Sequence, residues 1–321
     1  MVEISIVIPV YNSGSTIVET LDSVLNQTFH NWEAICIDDG SSDNSVEIIK
    51  SYCQKDSRFR LIVRSSVEKG GSVCRNLGGF ASIGRYIIFL DSDDLLAPWC
   101  LEQRYNTISS STHDVVVFPI AYFTKNVSEH SGTRNLYSKN HLCRFISGSP
   151  TWQTMQPIYT AEVFNRLGGF DIRFPRFQDV EFGIRVLLNY KIKIIKNVAP
   201  DCYFRMSGNS GVINPIKAKN AIRATSLLLS LVNTNWNIIK EKKKSIAILG
   251  LLVNVITLEI IANIPVNCFF DNIDGHVDLK KLLKPSHLLL INCIIKISPI
   301  IQYRFLLKAL SKIIDMRLDR G

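Results

Sequence analysis

The stretch YIIFLDSDD, residues 86–94, runs from large apolar side chains directly into a cluster of aspartates. Its first part, YIIFL (86–90), predicts a strand covered on both faces, because such strands carry near-continuous apolar runs. The carboxylates of Asp91, Asp93 and Asp94 would repel one another and raise each other's pKa unless a positive charge lay between them. The stretch therefore predicts a buried strand that ends at a cation site.

Strand and helix patterns alternate around this stretch. The predicted strands are ISIVIPV (4–10), WEAICID (32–38), RLIV (60–63), YIIFL (86–90) and DVVVF (114–118). The predicted helices between the first four strands are TIVETLDSVLNQT (16–28), NSVEIIKSYC (44–53) and GSVCRNLGGFAS (71–82). Thr16 and Glu19 form a capping-box pattern at the start of the first helix. The βαβαβαβ order predicts an α/β fold with a mainly parallel sheet and helices on both faces.

Polar clusters follow the ends of three predicted strands, at PVYN (9–12), DDGSSD (38–43) and DSDD (91–94). In open sheets of this kind, ligands bind beyond the carboxyl ends of the strands. The three clusters are therefore predicted to meet at one edge of the sheet.

Asp91 and Asp93 form a D-x-D pair, and both carboxylates are predicted to point the same way because alternate strand residues share a face. Mg²⁺ is usually held by one or two carboxylates together with substrate phosphates. A helix N-cap would account for Asp94, where Asp is favoured, but it would not require three acids. We interpret the pair as a site for a divalent cation and a phosphate-bearing ligand.

The DDGSSD cluster is open to two interpretations. It is suited to a turn that leads into a helix cap. It is equally suited to a ligand site, since the Asp39 carboxylate can accept the imide N–H of a pyrimidine and Gly40 allows a ligand to approach the backbone. The predicted position at the same edge as DSDD favours the ligand site.

In order and spacing, these motifs resemble the family 2 glycosyltransferases, which have the GT-A fold. The matching stretches are IPVYN (8–12), LNQTF (25–29), IDDGSSD (37–43), RN-x-G (75–78), FLDSDD (89–94), GGFD (168–171) and FQDVEF (177–182). They span roughly residues 3–210, about two thirds of the chain. The resemblance implies a GT-A nucleotide-sugar glycosyltransferase domain at residues 1–215, Rossmann-like with a mainly parallel sheet, followed by an α-helical tail at 216–321.

The resemblance also implies how a nucleotide-sugar donor would bind. Pro9 and Tyr11 correspond to the wall of the nucleotide pocket, Asp39 to the acid that reads uracil, and Arg75 to a residue that assists nucleotide binding. The donor-binding D-x-D segment corresponds to Asp91, Ser92 and Asp93. Within it, Asp93 matches the direct ligand of Mn²⁺ or Mg²⁺, with Asp91 as the second metal-site carboxylate. Tyr203 and Arg205 fall where the family often contributes a donor-side contact.

Asp179 matches the position of the family's catalytic base. Inverting transfer needs a base that takes a proton from the acceptor hydroxyl and a cation that stabilises the departing diphosphate. The family usually has Glu-Asp here, whereas this chain has Gln178-Asp179, so the base lacks an acidic neighbour. The stretch VEFGIRVLLNY (180–190) does not contain the Q-x-x-R-W signature of processive synthases, which favours transfer of a single sugar.

The implied function is inverting, metal-dependent transfer of one sugar from a nucleotide-sugar, most simply a UDP-sugar, to a saccharide or lipid-linked saccharide in bacterial surface-polysaccharide assembly. One alternative is a catalytically inactive, membrane-bound scaffold of the same fold. Another is a sugar nucleotidyltransferase, which should carry a Gly-rich loop with basic residues after the first strand. The stretch VYNSGSTIVE (10–19) has no basic residue, which disfavours that alternative.

The positive charge is confined to the tail. Residues 1–215 contain 21 basic and 21 acidic residues, whereas residues 216–321 contain 16 and 7, a difference equal to the whole formal charge of +9. A nucleic-acid-binding protein would be expected to carry its basic residues around the working site, so no nucleic-acid partner is expected. A basic, apolar tail instead predicts contact with an anionic membrane surface.

Two segments of the tail carry this prediction. The apolar run SIAILGLLVNVITLEIIANIPV (245–266) has about the length of a bilayer span, but Glu259 near its middle would cost about 2–3 kcal/mol on insertion. A buried or interfacial helix is therefore favoured over a spanning one. The segment IIQYRFLLKALSKIIDMR (300–317) spaces Arg304, Lys308 and Lys312 at helical intervals, which predicts an amphipathic basic helix.

The cellular location follows from the remaining features. The 8 cysteines are scattered without a C-x-x-C pair, which is typical of reduced thiols in a cytosolic protein. The first apolar run lacks a basic leader and ends at Pro9, so we expect no signal peptide. We expect a cytoplasmic protein peripheral to the inner face of the cell membrane. The sequence does not decide the oligomeric state, the donor sugar or the acceptor.

Overall fold

The computed structural model of the protein describes residues 1–64, 68–133, 136, 138–206, 215–240, 243–261, 277, 279–297 and 304–319. The chain forms two compact units. Unit 1 comprises Met1–Leu136, Trp152–Phe170 and Asn189–Ser210, and unit 2 comprises Tyr137–Thr151, Asp171–Leu188 and Gly211–Gly321. Two segments that precede residue 215 therefore pack in unit 2. The division into domains at residue 215 stays a prediction.

The strands and helices follow the chain order below. The strands are β1 (Ile4–Val10), β2 (Trp32–Asp38), β3 (Phe59–Val63), β4 (Tyr86–Phe89), β5 (Leu95–Leu96), β6 (Val115–Val117), β7 (Ile120–Phe123), β8 (Ser131–Thr133), β9 (Pro157–Thr160), β10 (Ile192–Ile194) and β11 (Cys202–Arg205). The helices are α1 (Ile17–Leu25), α2 (Ser45–Lys55), α3 (Gly71–Phe80), α4 (Cys100–Ser109), α5 (His141–Ile146), α6 (Ala161–Leu167), α7 (Gln178–Asn189), α8 (Pro215–Thr234), α9 (Lys244–Ile261), α10 (Leu279–Leu282), α11 (Pro285–Ile297) and α12 (Arg304–Asp319).

A mainly parallel sheet forms the core of unit 1. Its strand order is β10-β6-β9-β4-β1-β2-β3, and β9 alone among these described strands runs antiparallel to its neighbours. The central strands are apolar as expected, and every residue of β2 and β4 is buried. Burying an Ile, Val or Phe side chain stabilises the fold by about 1.5–3 kcal/mol, so these strands dominate the core. The predicted α/β class is confirmed.

Unit 1 also contains a smaller sheet, and its strand β5 follows β4 in the sequence. Its strand order is β5-β11-β7-β8, with β11 parallel to β7 and antiparallel to β5. The strand β5 begins at Leu95, one residue after the DSDD cluster, and pairs with Tyr203 of β11. The pairing therefore brings the end of β11 next to the acidic cluster.

The first helix does not form the predicted capping box. Thr16 occupies the N-cap of α1, but its side chain makes no capping hydrogen bond. The Thr16 hydroxyl donates instead to the carbonyl of Ser92 at 3.0 Å. The Glu19 carboxylate accepts a hydrogen bond from Arg205 at 2.8 Å. The capping-box prediction is wrong because both side chains have long-range partners that the local pattern does not reveal.

Unit 2 is helical and is built around α9. The helices α5, α8, α11 and α12 all contact it. Gly250 in α9 allows close approach of α12, since a Cβ there would lie 3.0 Å from Ile314 Cγ2. Ser311 of α12 donates to Asn254 Oδ1 at 2.7 Å, and Asp315 forms an ion pair with Arg144 of α5 at 2.5 Å. The predicted basic helix at 300–317 is therefore helical over its described part and packs within unit 2.

The apolar run at 245–266 is helical up to Ile261, and its last residues lie outside the described part of the chain. Across the residues that the structure describes, each helix falls short of the length or the apolar character needed to cross a bilayer.

Candidate active site

The carboxyl ends of β1, β2 and β4 lie side by side in unit 1. The backbone N–H of Asp39 donates to Val10 O at 2.8 Å, and that of Leu90 donates to Val7 O at 3.0 Å. The side-chain hydroxyls of Ser13 and Ser92 are hydrogen-bonded at 2.7 Å. The three polar clusters that follow these strands are thus brought to one edge of the sheet.

Adjacent aspartates in the loop after β2 have different partners. The Asp38 carboxylate accepts the backbone N–H groups of Gly40 at 3.1 Å and Ser41 at 3.2 Å, which closes the turn in which Gly40 has a φ of 85°. Asp39 is ion-paired with Arg64 and accepts the N–H of Gly70 at 2.8 Å. Asp38 therefore builds the turn, while Asp39 is oriented by two donors.

The two interpretations of the DDGSSD cluster thus apply to different residues. Asp43 serves the start of α2, where its carboxylate accepts the N–H of Ser45 at 3.0 Å and the Ser45 hydroxyl at 2.5 Å. Asp39 lies nearest the strand end, is 9 % exposed and has no such capping role. Each carboxylate oxygen carries two lone pairs, so Asp39 retains capacity to accept a ligand N–H beside Arg64 and Gly70.

Tyr11 and Lys69 face each other at this edge. The Tyr11 side chain is 56 % exposed, and the Lys69 ammonium lies 5.7 Å from its ring centroid. The same ammonium lies 3.5 Å from the position that a Cβ on Gly40 would occupy. Pro9, two residues before Tyr11, is half-buried in β1. Lys69 is not among the site residues predicted from the sequence, although its place between β3 and α3 puts it at a strand's carboxyl end.

Arg75 binds one member of the D-x-D pair. Its Nη2 donates to Asp91 Oδ1 at 2.5 Å, and the residue is 8 % exposed, whereas the Asp91 side chain is 40 % exposed. Arg75 Nε is buried and has no hydrogen-bond partner among the described residues. A buried guanidinium N–H without an acceptor is uncommon and suits an anionic ligand at this position.

The two aspartates that follow Ser92 differ in exposure, because Asp93 is exposed and Asp94 is buried. Partial loss of hydration, and then the charge of Asp91, raise the pKa of the Asp93 carboxyl. Asp94 is 1 % exposed, and burial followed by the charge of Asp91 raises the pKa of its carboxyl well above the usual range. Asp94 accepts the backbone N–H of Arg205 at 2.8 Å. A cation beside Asp93 would offset the repulsion that these raised pKa values reflect.

The donor set fits a divalent cation that is shared with a ligand. Among the described residues, no three Asp, Glu, His or Cys side chains form a metal-binding cluster. Mg²⁺ and similar hard cations need only one or two protein carboxylates when substrate phosphates complete the coordination. Asp91 is already ion-paired with Arg75, which leaves Asp93 as the better candidate for direct coordination.

Asp179 lies in the first turn of α7, in unit 2, whereas the other predicted site residues lie in unit 1. Phe177 just before the helix has a φ of 62°, in the left-handed region that bulky residues rarely adopt. Glu181 in the same helix turn is ion-paired with Arg185. The meeting of Asp179 with Asp39 and Asp93 stays a prediction.

Sequence comparisons match the N-terminal half of the chain. The profile of Glycosyl transferase family 2 matches residues 5–169. Glycosyltransferase GlyG of Streptococcus pneumoniae is 38% identical over 115 residues, which are 36% of this chain and 38% of that protein. The poly(ribitol-phosphate) beta-glucosyltransferase of Bacillus spizizenii is 39% identical over 117 residues, 36% of this chain and 18% of that protein. The chain thus spans less than half the length of these curated relatives.

Structural comparisons cover nearly the whole chain. Staphylococcus aureus TarS 1–349 in complex with UDP-GlcNAc superposes with a TM-score of 0.57 at 17% identity, covering 98% of this chain and 88% of that one. The mannosyltransferase PcManGT of Pyrobaculum calidifontis, in complex with GDP-Man and Mn²⁺, superposes with a TM-score of 0.52 at 15% identity, covering 99% and 88%. At these identities the likeness shows the fold, and the fold is the predicted GT-A type.

Proposed function

The chain belongs to glycosyl transferase family 2, and we propose that it transfers a single sugar from a UDP-sugar to a saccharide or lipid-linked saccharide. The proposed reaction inverts the anomeric configuration and depends on Mn²⁺ or Mg²⁺. The proposed setting is surface-polysaccharide assembly at the inner face of the cell membrane. A relative named as a poly(ribitol-phosphate) beta-glucosyltransferase supports transfer of a sugar to a hydroxyl-bearing polymer.

The observation that carries the proposal is the grouping of Asp39, Arg75, Asp91 and Asp93 at one edge of the parallel sheet. Arg75 and Asp91 are in contact at 2.5 Å. Asp39 follows β2, and Asp93 follows β4, with β1 between the two strands. A nucleoside diphosphate offers matching groups, because its base presents an N–H to a carboxylate and its phosphates complete the shell of a cation.

Asp39 is an acceptor, which favours a base with a ring N–H, such as uracil, over cytosine. The imide N3–H of uracil is a donor, whereas N3 of cytosine is an acceptor that a carboxylate would repel. Tyr11, exposed at the same edge, offers an aromatic face for the base, and Pro9 lies behind it in β1. The relatives support a nucleotide-sugar donor, since TarS was solved with UDP-GlcNAc and PcManGT with GDP-Man.

The proposed chemistry divides between a base and a charge-stabilising site. Asp179 would accept the proton of the acceptor hydroxyl as that oxygen attacks the anomeric carbon. Asp93, with Asp91 beside it, would hold the cation, and the cation when bound supplies stabilisation of the charge on the departing diphosphate. Ser92 holds the D-x-D turn through its carbonyl, and Arg75 orients Asp91. Stabilisation aimed at developing charge is what raises the rate.

The test is donor hydrolysis and sugar transfer by the purified chain, preceded by a thermal-shift screen of UDP-, GDP- and dTDP-sugars with Mn²⁺. A ligand that binds only the folded state raises its melting temperature in proportion to the logarithm of its concentration. We expect stabilisation by a UDP-sugar, loss of hydrolysis in Asp93→Ala, and loss of transfer with retained UDP binding in Asp179→Asn.

Asp43→Asn is the matched control, because Asp43 lies in the same loop system but its carboxylate is used by the backbone N–H groups of Ser45, at the start of α2, and of Gly14. It should retain hydrolysis and transfer. Unchanged transfer in Asp179→Asn would overturn the assignment of the base. Stabilisation by none of the nucleotide-sugars, with or without metal, would contradict the donor class and favour an inactive scaffold.

A further inference from the structure

Arg205, the last residue of β11, contacts the acidic turn through both its backbone and its side chain. Its backbone N–H donates to Asp94 Oδ1 at 2.8 Å, and its Nε donates to the backbone carbonyl of Asp93 at 2.8 Å. Its Nη2 donates to Glu19 Oε2 of α1 at 2.8 Å. The Arg205 side chain is only 15 % exposed. One residue therefore holds both of the last two aspartates of DSDD.

The position of Arg205 is set by elements around it. It pairs with Phe123 in the parallel register of β7 and β11, and its guanidinium lies 4.5 Å from the Phe123 ring centroid. Asp201, just before β11, forms a fully buried, two-pronged ion pair with Arg104 of α4 at 2.7 and 2.8 Å. The end of β11 is thus fixed by sheet pairing, a buried ion pair and a cation–π contact.

The rest of the turn is held from α1. The Ser92 carbonyl accepts the hydroxyls of Thr16 and Thr20, each at 3.0 Å. The backbone N–H of Asp94 donates to Asp91 O at 3.1 Å. Arg205 completes this set, because it alone among these residues engages the Asp93 carbonyl. Arg205 binds the backbone carbonyl of Asp93, so this hydrogen bond restrains the Asp93 backbone and does not occupy the Asp93 carboxylate.

The contact with Glu19 directs the Arg205 guanidinium away from a two-pronged ion pair with the Asp93 carboxylate. A guanidinium has five N–H donors and readily forms a two-pronged pair with a carboxylate. The Arg205 Nη2 donates to Glu19 and its Nε donates to the Asp93 carbonyl, so these two contacts fix the orientation of the guanidinium plane. The Asp93 carboxylate, with which Arg205 could otherwise pair, therefore stays available for a cation.

We propose that Arg205, anchored by Glu19, is a positioning residue that presents the Asp93 carboxylate to the divalent cation of the donor complex. This inference rests on the metal-dependent transfer proposed above. It assigns Arg205 a role in shaping the metal site through the backbone of the D-x-D turn, and it differs from the direct donor contact that the family resemblance implied. Groups that orient metal ligands typically change metal affinity by about 10–100-fold when removed.

The experiment is isothermal titration of UDP into the full chain, with Mn²⁺ and separately with EDTA. For wild type we expect tighter binding with Mn²⁺. For Arg205→Ala we expect the UDP affinity in Mn²⁺ to fall by about tenfold or more, with the affinity in EDTA unchanged. Arg205→Lys should behave like Arg205→Ala in direction, because an ammonium cannot reproduce the planar, two-way contact.

Arg58→Ala is the matched control. Arg58 also pairs with a carboxylate, Asp56, at 2.6 Å, with a backbone carbonyl, that of His30, at 3.3 Å, and with an aromatic ring, Trp32, at 3.9 Å. It lies just before β3, at the amino end of the sheet's strands. Its loss should lower the melting temperature while preserving the full effect of Mn²⁺ on UDP binding.

Three results would overturn the inference. Equal weakening of UDP binding with Mn²⁺ and with EDTA would mean that Arg205 contacts the nucleotide itself. A full Mn²⁺ effect in Arg205→Ala would mean that the residue is structural only. Absence of a Mn²⁺ effect in wild type would contradict the metal-dependent function together with the inference, which separates that failure from the other two.

Glu19→Ala provides a second route if Arg205→Ala fails to fold. The Glu19 side chain is 53 % exposed, so its truncation removes the acceptor of Arg205 Nη2 with little effect on the core. We expect Glu19→Ala to reduce the Mn²⁺ effect on UDP binding in the same direction as Arg205→Ala. Retention of the full effect would count against the positioning role.

Discussion

Asp38 and Asp39 are neighbours in the sequence but have different roles in the loop after β2. Asp38 accepts two backbone N–H groups of its own turn, which holds Gly40 in the left-handed region. Asp39 is bound by Arg64 and by the N–H of Gly70, both from the segment that follows β3. At the scale of single residues, the loop thus separates a carboxylate that closes its own turn from one that is oriented by the segment after β3.

Asp39→Asn should change which base the protein prefers. A hydrogen bond from uracil N3–H to a carboxylate contributes about 1.5–3 kcal/mol, so its loss should weaken UDP binding by about tenfold or more. An asparagine that still accepts the N–H of Gly70 would place its NH₂ where an Asp39 oxygen now accepts Arg64, and this NH₂ would suit the acceptor N3 of cytosine. We therefore expect the ratio of CDP to UDP affinity to rise, as measured by competition titration.

The control for this prediction is Asp43→Asn, which neutralises a nearby carboxylate bound to Ser45. It should leave the ratio of CDP to UDP affinity unchanged. An unaltered ratio in Asp39→Asn as well would show that Asp39 does not read the base.

The helix α3 illustrates a constraint at the scale of elements. It packs against β1 and β2, and Gly78 lies at the point of closest approach. A Cβ at this position would lie 2.4 Å from Val7 Cγ1 and 3.2 Å from Ile37 Cδ1, both on buried strands. The glycine of the RN-x-G motif is therefore required by helix-to-sheet packing, independently of any ligand.

Gly78→Ala should destabilise the protein even though alanine favours helices. The propensity gain is about 1 kcal/mol, whereas forcing a methyl group into a close-packed core costs about 1–3 kcal/mol, occasionally more. We expect the steric cost to exceed the gain because the clash distance is far below normal contact. The measurement is urea unfolding, with the midpoint falling relative to wild type.

Leu77→Ala is the neighbouring control on the same helix. Leu77 is 39 % exposed, so its truncation should change the unfolding midpoint less than Gly78→Ala does. An increase in the midpoint for Gly78→Ala would show that α3 can shift away from the sheet at no net cost.

At the scale of the whole molecule, the excess positive charge lies in the helical tail, residues 216–321. In α12, Ile314 and Leu318 are buried at 3 % and 0 % exposure, whereas Ile313 and Met316 are 44 % and 45 % exposed. Lys312 is exposed beside these two side chains. The buried face packs within unit 2, and the exposed face combines apolar and basic groups, a composition suited to an anionic membrane surface.

Charge reversal is a better test of membrane binding than deletion, because deletion of α12 would uncover the groove at Gly250. We expect the double substitution Lys312→Glu/Arg317→Glu to weaken binding to vesicles that contain anionic lipid by about tenfold or more, since each basic residue contributes about 1 kcal/mol near such a surface. Sedimentation with liposomes measures this, and binding of the wild type should fall at high salt.

Lys50→Glu/Lys55→Glu on α2 of unit 1 carries the same change in net charge and is the control. It should retain vesicle binding. Equal loss in both double variants would indicate a general effect of net charge, and no loss in either would contradict a role for the tail at the membrane.

Much of the fold could be predicted because local patterns are strong where strands are buried on both faces. The predicted boundaries of β1 and β2 agree with Ile4–Val10 and Trp32–Asp38. The acidic turn after β4 and its neighbours at the same edge followed from strand order and from the rule for ligand sites in parallel sheets. Strand periodicity, charge spacing and the D-x-D pair are all properties of short segments, so sequence was enough to predict them.

Other features depend on contacts between distant segments and needed the three-dimensional structure. The short strand β9 inserts antiparallel between β4 and β6, and β5 pairs with β11, although neither arrangement has a local signature. Arg64 binds Asp39, and Glu19 binds Arg205 across 186 positions of chain. Such partners are selected by packing of the complete chain, because a side chain's local sequence determines its chemistry but not which distant group will lie within reach.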